Sequence, residues 1–253
     1  MYMNETLELI ARRKSVRSFT GKPVEKKTRD AIIEAARRAP TAGNLMLYSI
    51  IEVSDQKLKE RLAHTCDNQP FIASAPLVLI FLADPGRLWD LYREGGVEKA
   101  CRQNGEHFHR PAVSDLMLAS CDAMAAAQNA VLAAESLGLG SCYIGDIMEK
   151  IEEHRELFSL PPTAFPLTML VFGYPTERAA ERKLTSRYSE WAFNFENRYR
   201  VLSRRELEEM TGCEDLNREA LRIYRKKTGA EFSAEMRRSA ALGMEAFRPD
   251  PQP

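Results

Sequence analysis

The sequence predicts a globular protein of mixed helix and strand, and three observations carry that expectation. From Ala123 a passage rich in Ala, Leu and Met runs without Pro or Gly as far as Gly138. It is apolar nearly all round, as a helix buried on several faces is. Two largely apolar runs read as strands, Ala75–Leu82 as one buried on both faces and Phe165–Gly173 as a further one. Around them stand segments of 3.6-residue periodicity with charges on the outer face, the pattern of amphipathic helices. With 253 residues and 44% apolar content the chain can bury the core of one large domain or two small ones.

The long helix, with its exit over Met124–Ile147, organises the rest. It stops at Gly138-Leu139-Gly140, where glycine takes the left-handed conformation that ends helices, and Ser141–Ile144 has the length of a short strand. A second break follows at Gly145-Asp146. A backbone so bare can approach a flat ligand and offer it N–H groups, so Tyr143, Ile144, Gly145 and Asp146 form a candidate cofactor-facing loop. The same pattern also serves plain helix-to-strand connections.

Earlier in the chain, Asn4–Lys14 is a short first helix with Asn4 or Thr6 as cap, and Glu25–Arg38 a second, closed by Pro40. Between them Arg12-Arg13-Lys14-Ser15-Val16-Arg17-Ser18-Phe19 alternates cations with hydroxyls. That is either a solvated basic turn or a phosphate site, since guanidinium forks and neutral O–H donors are what a phosphate takes. The loop Pro40-Thr41-Ala42-Gly43-Asn44 precedes a strand over Leu45–Val53, and is either a turn or a place where Thr41 and Asn44 meet a ligand. Asp55–Ala63 reads as a third helix and Asn68-Gln69-Pro70-Phe71 as a turn.

From Asp84 to Pro111 the pattern loosens into a polar excursion, a surface insertion or a lid over a pocket. His107 and His109 within it lack the further ligands a metal needs, so no metal site is expected. Glu149–Leu157 is another helix, and after the strand ending at Gly173 a second basic cluster collects Arg178, Arg182, Lys183 and Arg187. Three charged helices, Ser203–Met210, Glu214–Lys227 and Glu231–Met244, form a tail with too few apolar residues for its own core. It is expected to pack on something else, a partner subunit first of all. The Pro-rich last five residues are expected to fray.

Lys plus Arg equals Asp plus Glu at 36 each, so the net charge argues against nucleic acid and anionic membranes as partners. No apolar run is read as a membrane span and Met1–Arg13 has no leader pattern, which predicts a cytoplasmic protein. Five scattered Cys without a C-x-x-C pair predict reduced thiols.

Taken together, Arg13-Lys14-Ser15-Val16-Arg17, Pro40-Thr41-Ala42-Gly43-Asn44, Gln69-Pro70, Ala127-Gln128-Asn129-Ala130 through Gly138-Leu139-Gly140 to Tyr143-Ile144-Gly145, and Gly173-Tyr174-Pro175 resemble the FMN-dependent nitroreductase and flavin reductase family. The resemblance covers about Asn4–Tyr199 in order. It implies an α+β three-layer sandwich, an antiparallel core sheet flanked by helices, with a C-terminal helical extension, in an intertwined homodimer. Residues 1–200 would be the FMN-binding domain and 201–253 the extension packing on the dimer.

Carried over by position, Arg13, Lys14, Ser15 and Arg17 would hold the FMN phosphate and the pyrimidine edge. Gln69 would reach the ribityl or ring region, and Thr41 and Asn44 would come across the interface. Tyr143 belongs to the ring-facing loop, where the backbone of Ile144 and Gly145 would face the reactive nitrogen. Arg182, Lys183 and Arg187 would complete the phosphate grip, although relatives space two cations by one residue and here Arg182-Lys183 are adjacent.

The function implied is ping-pong hydride transfer from NADPH or NADH through bound FMN to nitroaromatics, quinones or flavins, with no side chain acting as acid or base. Two alternatives stand beside it. Within the family these are dehalogenation or flavin fragmentation; outside it, a non-catalytic helical binding protein using the basic stretch Arg218–Lys227.

Overall fold

The computed structural model describes residues 4–248. The expected fraying of the last five residues falls outside them. The chain forms two compact units, one reaching to Arg182 and resuming at Met236, the other spanning Lys183–Glu235.

The first unit is built on a four-stranded sheet of β1 (Tyr48–Glu52), β2 (Leu77–Ala83), β3 (Gly140–Ile144) and β4 (Phe165–Gly173). The order is β1-β2-β4-β3 and every pairing is antiparallel. Both apolar runs of the sequence lie at its centre, where every residue of β2 is buried. Side chains alternate between two cores, as the period of two demands. Leu77, Leu79, Phe81, Leu170 and Phe172 face one side with Ile32, Ala123, Ala127 and Ala130. Val78, Ile80, Met169 and Val171 face the other with Leu62, Ile72, Ile144 and Ile147.

The first core is covered by α2 (Lys26–Arg37) and α7 (Val113–Ser136), the second by α3 (Gln56–Thr65) and α4 (Phe71–Ser74). Sheet and two helical layers make the expected α+β sandwich. The helix α7 begins at Val113, well before Met124, because Pro111 and Ala112 rather than a glycine mark its start. Its six buried alanines, Ala119, Ala123, Ala126, Ala127, Ala130 and Ala134, let it lie close to β2 and α2. At 24 residues it is long and apolar enough to cross a membrane, which corrects the expectation that no run reaches that length. Here it is a core helix with the charged Asp122 on its buried face.

Two further sequence expectations change. Strand β1 starts at Tyr48 rather than Leu45, because Asn44 and Met46 take left-handed backbone (φ 58° and 51°) and break the extended run. The excursion is no loop: α5 (Gly86–Glu94) and α6 (Val97–Asn104) fold within it, joined at Gly96. The remaining elements of this unit are α1 (Glu5–Arg12), capped by Asn4 Oδ1 on Leu7 N at 3.0 Å, α8 (Ile151–Phe158) and the single turn α9 (Glu177–Ala180).

The second unit carries α10 (Arg204–Thr211), opened by a capping box in which Ser203 and Glu206 exchange bonds, and α11 (Leu216–Lys226). Helix α12 (Glu231–Gly243) leads out of it and into the first unit. There Phe247 is fully buried with Leu47, Leu116, Ile151 and Phe165. The end of the tail therefore returns to its own chain's core. Gly243 permits that approach, since a Cβ on it would stand 2.5 Å from the Phe165 ring.

Candidate functional site

The basic segment after α1 is laid along the sheet edge. Val16 N donates to Ser141 O at 2.8 Å, and Ser15 bridges Ser141 in parallel. Val16 is buried, and Gly140 makes the room, because a Cβ there would fall 2.4 Å from Val16 Cγ2. Further on, Thr20 N donates to Tyr174 O at 2.9 Å and Thr176 N to Ser18 O at 3.1 Å. These bonds hold the segment extended against β3 and the end of β4. With Val16 inward, Arg17 turns outward.

Ser15, Arg17 and Ser18 then line one cleft of about 610 Å³ with Thr176, Arg178, Ala179, Glu181 and Arg182. Three guanidinium groups, three hydroxyls and one carboxylate make this cleft suited to an anion. The two basic clusters of the sequence meet here. Arg178 was part of the second cluster but not among the expected cofactor contacts. Its spacing of four from Arg182, just past a strand end, is the signal that marks the pair.

Lys14 is placed differently. Its Nζ donates to Arg182 O at 2.8 Å and to Ala180 O, so its charge closes the end of α9 and ties the two clusters together. Lys183 and Arg187 belong to the second unit, where Arg187 Nη1 donates to the neighbouring Thr185 and Ser186 carbonyls.

Arg13 is half-buried, and its Nη1 is sealed from solvent without a hydrogen-bond partner. Burial pushes the nearby Glu135 carboxyl above its usual range, against the opposing pull of the Arg13 charge. Burial likewise pushes the Tyr143 phenol up to about 12, with Arg13 again opposing. Tyr143 Oη donates to Gln128 Oε1 at 3.1 Å, so this side chain is engaged with α7. Ile144 is buried, whereas Gly145 is half-open, and a Cβ on it would meet nothing closer than Met148 Cε at 3.9 Å.

Gln69 comes to the same turn. Left-handed Asp67 and Asn68 swing it inward, and its Nε2 donates to Asp146 Oδ2 at 2.7 Å and to Cys66 O at 3.0 Å. Thr41 and Asn44 lie elsewhere. Their loop is pinned to α7 by the buried Asp122, which accepts from Ala42 N at 2.9 Å and Leu47 N at 3.1 Å. Thr41 Oγ1 accepts from Met46 N at 3.3 Å, and Asn44 is exposed. Arg87 of α5 grips the loop from the other side, donating to Tyr48 O at 3.1 Å and to Met46 O. Asp122 and Glu135, the α7 residues beside this loop and beside Arg13, are thirteen positions apart. At 1.5 Å per residue that is about 20 Å along the helix. Within one chain the loop and the basic segment do not form a single pocket.

Among the described residues no three His, Cys, Asp or Glu groups stand together as a metal site, and His107 and His109 pack edge to face at 4.8 Å.

A helix-covered antiparallel sheet with a cation- and hydroxyl-lined cleft at one edge defines an α+β protein with a site suited to an anionic ligand. The chain belongs to the nitroreductase family, whose model matches residues 10–174. It is 33% identical over 201 residues to an FMN reductase (NADPH) of Bacillus subtilis, covering 79% of this chain and 76% of that protein. An oxygen-insensitive NADPH nitroreductase of Salmonella typhimurium is 35% identical over 175 residues, 69% of this chain and 68% of its own. Among solved structures, the NADPH:FMN oxidoreductase from Vibrio harveyi complexed with NAD+ superposes with a TM-score of 0.79 at 25% identity, covering 97% of this chain and all of that one.

Proposed function

We propose that this chain is an FMN-dependent NAD(P)H oxidoreductase that passes electrons by a ping-pong scheme to nitroaromatics, quinones or free flavins. The observation that carries the reading is the convergence of Ser15, Arg17 and Arg182 on one cleft, together with a buried, partnerless Nη1 on Arg13 of the same basic segment. A buried guanidinium N–H without an acceptor is a costly arrangement that a bound acceptor relieves. The residues fit a phosphorylated isoalloxazine on that ground. Arg17 and Arg182 would take the phosphate with Ser15, and Arg13 the carbonyl edge of the ring system.

FMN supplies the redox chemistry by accepting hydride from the nicotinamide and giving two electrons to the acceptor. The chain's own work is to bind, orient and exclude water. Gly145 would leave the ring a close approach and its backbone N–H would stabilise negative charge developing there, while Ile144, on the side of β3 that pairs with Met169 of β4, would hold that end of the strand in place. Gln69 is held ready at the same turn by Asp146.

The reading includes a homodimer in which Thr41 and Asn44 serve the partner's cofactor, because the α7 residues that stand by their loop and by Arg13, Asp122 and Glu135, are about 20 Å apart along the helix. Exposed Val113, Met117, Leu118 and Met124 on that helix supply an apolar face for the second copy. Residues 1–200 then form the cofactor domain and 201–253 an extension that packs on the dimer apart from its end, which is seated in its own chain's core at Phe247, in a cytoplasmic enzyme.

The test is the visible spectrum of the purified protein, followed by anaerobic NADPH and, separately, NADH. A yellow protein bleached by either is the expected result, and the faster donor identifies the preferred nucleotide. A protein that stays colourless after incubation with FMN overturns the reading.

A further inference from the structure

The turn that leaves β3, Gly145–Met148, is held by side chains from three other parts of the chain. Gln69 bonds the Asp146 carboxylate at 2.7 Å. His154 of α8, fully buried, places Nδ1 2.9 Å from Ile147 O and Nε2 2.8 Å from Thr65 Oγ1. A carbonyl only accepts, so Nδ1 carries the proton and Nε2 receives the Thr65 hydroxyl. Ser239 of α12, also fully buried, donates its hydroxyl to Met148 O at 2.7 Å.

The same Ser239 oxygen accepts from Ile151 N at 2.9 Å. That N–H is the first of α8, whose own N-cap, Lys150, sits in left-handed backbone (φ 49°) and gives no side-chain cap. The cap is supplied instead by a residue 88 positions away. Asp146, Ile147 and Met148 are therefore each fixed from outside the turn, and Gly145 alone has no such anchor, with room for a Cβ at ordinary contact distance from Met148 Cε.

We propose that Ser239, together with His154, is a positioning residue for the cofactor: it locks the turn whose first N–H, that of Gly145, would face the flavin. The inference rests on the flavoenzyme reading above and extends it to the C-terminal segment. It follows from rigidity, because a donor stabilises developing charge only if it already stands in place when the charge arrives. A turn anchored at three successive residues has little freedom to swing its first N–H away.

The experiment compares FMN-loaded wild type, Ser239→Ala, Ser239→Thr and Glu152→Gln. Glu152→Gln weakens the ion pair of Glu152 with Arg238, which joins the same two helices at 2.7 Å on the surface without touching the turn. In Ser239→Ala the preference for reduced over oxidised FMN should fall about tenfold, lowering the two-electron midpoint potential by about 30 mV. Ser239→Thr should restore it, and Glu152→Gln should lower the melting temperature alone. In the FMN-free protein, amide exchange over residues 145–151 should quicken in Ser239→Ala only.

A Ser239→Ala protein that melts earlier but keeps the wild-type potential and exchange pattern overturns the proposal. If that variant does not fold, His154→Asn decides: a lowered potential supports the lock and an unchanged one overturns it. Wild type that takes up no FMN overturns both readings, whereas loaded variants with unshifted potentials overturn this one alone.

Discussion

Asp122→Asn tests most directly whether the site is held by the core helix. Asp122 is 3% exposed and accepts two backbone N–H groups, Ala42 at 2.9 Å and Leu47 at 3.1 Å, across 80 and 75 positions of chain. These are charge-assisted bonds, each contributing about 1.5–3 kcal/mol. Asparagine keeps one acceptor oxygen and turns an NH₂ toward the other N–H. One bond is lost and one donor is left buried without an acceptor, for an expected cost of about 2–4 kcal/mol. For a chain of this length the melting temperature should fall by roughly 5–15 °C. Urea and thermal unfolding measure the cost, and amide exchange at Ala42 and Leu47 locates it. The loop with left-handed Gly43, Asn44 and Met46 should open locally before the sheet does. A loss under about 1 kcal/mol, or exchange unchanged at both amides, would refute the view that this carboxylate fixes the Thr41–Leu47 loop.

Other outcomes follow from the same geometry. Arg17→Ala removes the outward guanidinium of the cleft and should weaken FMN binding by about 2–5 kcal/mol, read by fluorescence quenching on titration; unchanged affinity rejects the phosphate assignment. Gly140→Ala forces a methyl against Val16, should cost about 1–3 kcal/mol, and should reduce FMN affinity by lifting the basic segment off β3, whereas a neutral variant contradicts that packing. Burial holds the His154 pKa below its unfolded value of 6.5. The folded state therefore favours neutral imidazole, and this contribution is complete above about pH 6.5 and is lost as pH falls through the folded value. His154→Asn should flatten that part of a stability–pH curve, and an unchanged curve would remove His154 as its cause. Met117, 65% exposed on α7, should when changed to Asp shift the protein toward monomer in light scattering and lower FMN retention; an unaffected dimer moves the interface elsewhere.

Much of this arrangement is legible before any coordinates. Periodicity and apolar run length place β2, β4, α2, α3 and the exit of α7, because those elements are buried and burial dictates their residue types. Glycines at 138 and 140 mark the end of α7 and the start of β3 for local reasons, a left-handed cap at φ 80° and the close approach of Val16. The excursion misleads because α5 and α6 are short, are broken by Gly95-Gly96 and bury almost none of their residues, although Leu88, Leu91 and Tyr92 stand at helical spacing.

The candidate site divides in the same way. Cations and hydroxyls at 13–18, and the cations Arg178, Arg182, Lys183 and Arg187, show by residue type that a phosphate site or a solvated basic surface is possible, and the order of motifs they belong to is what favours the site. Only the tertiary structure decided that Arg17, Arg178 and Arg182 share one cleft while the Lys14 ammonium is taken up by the Ala180 and Arg182 carbonyls. Asp122, His154 and Ser239 were invisible for a physical reason. Each acts through one hydrogen bond or two to backbone at least seven positions away, and no local pattern of residue type records which distant N–H or carbonyl a side chain will meet.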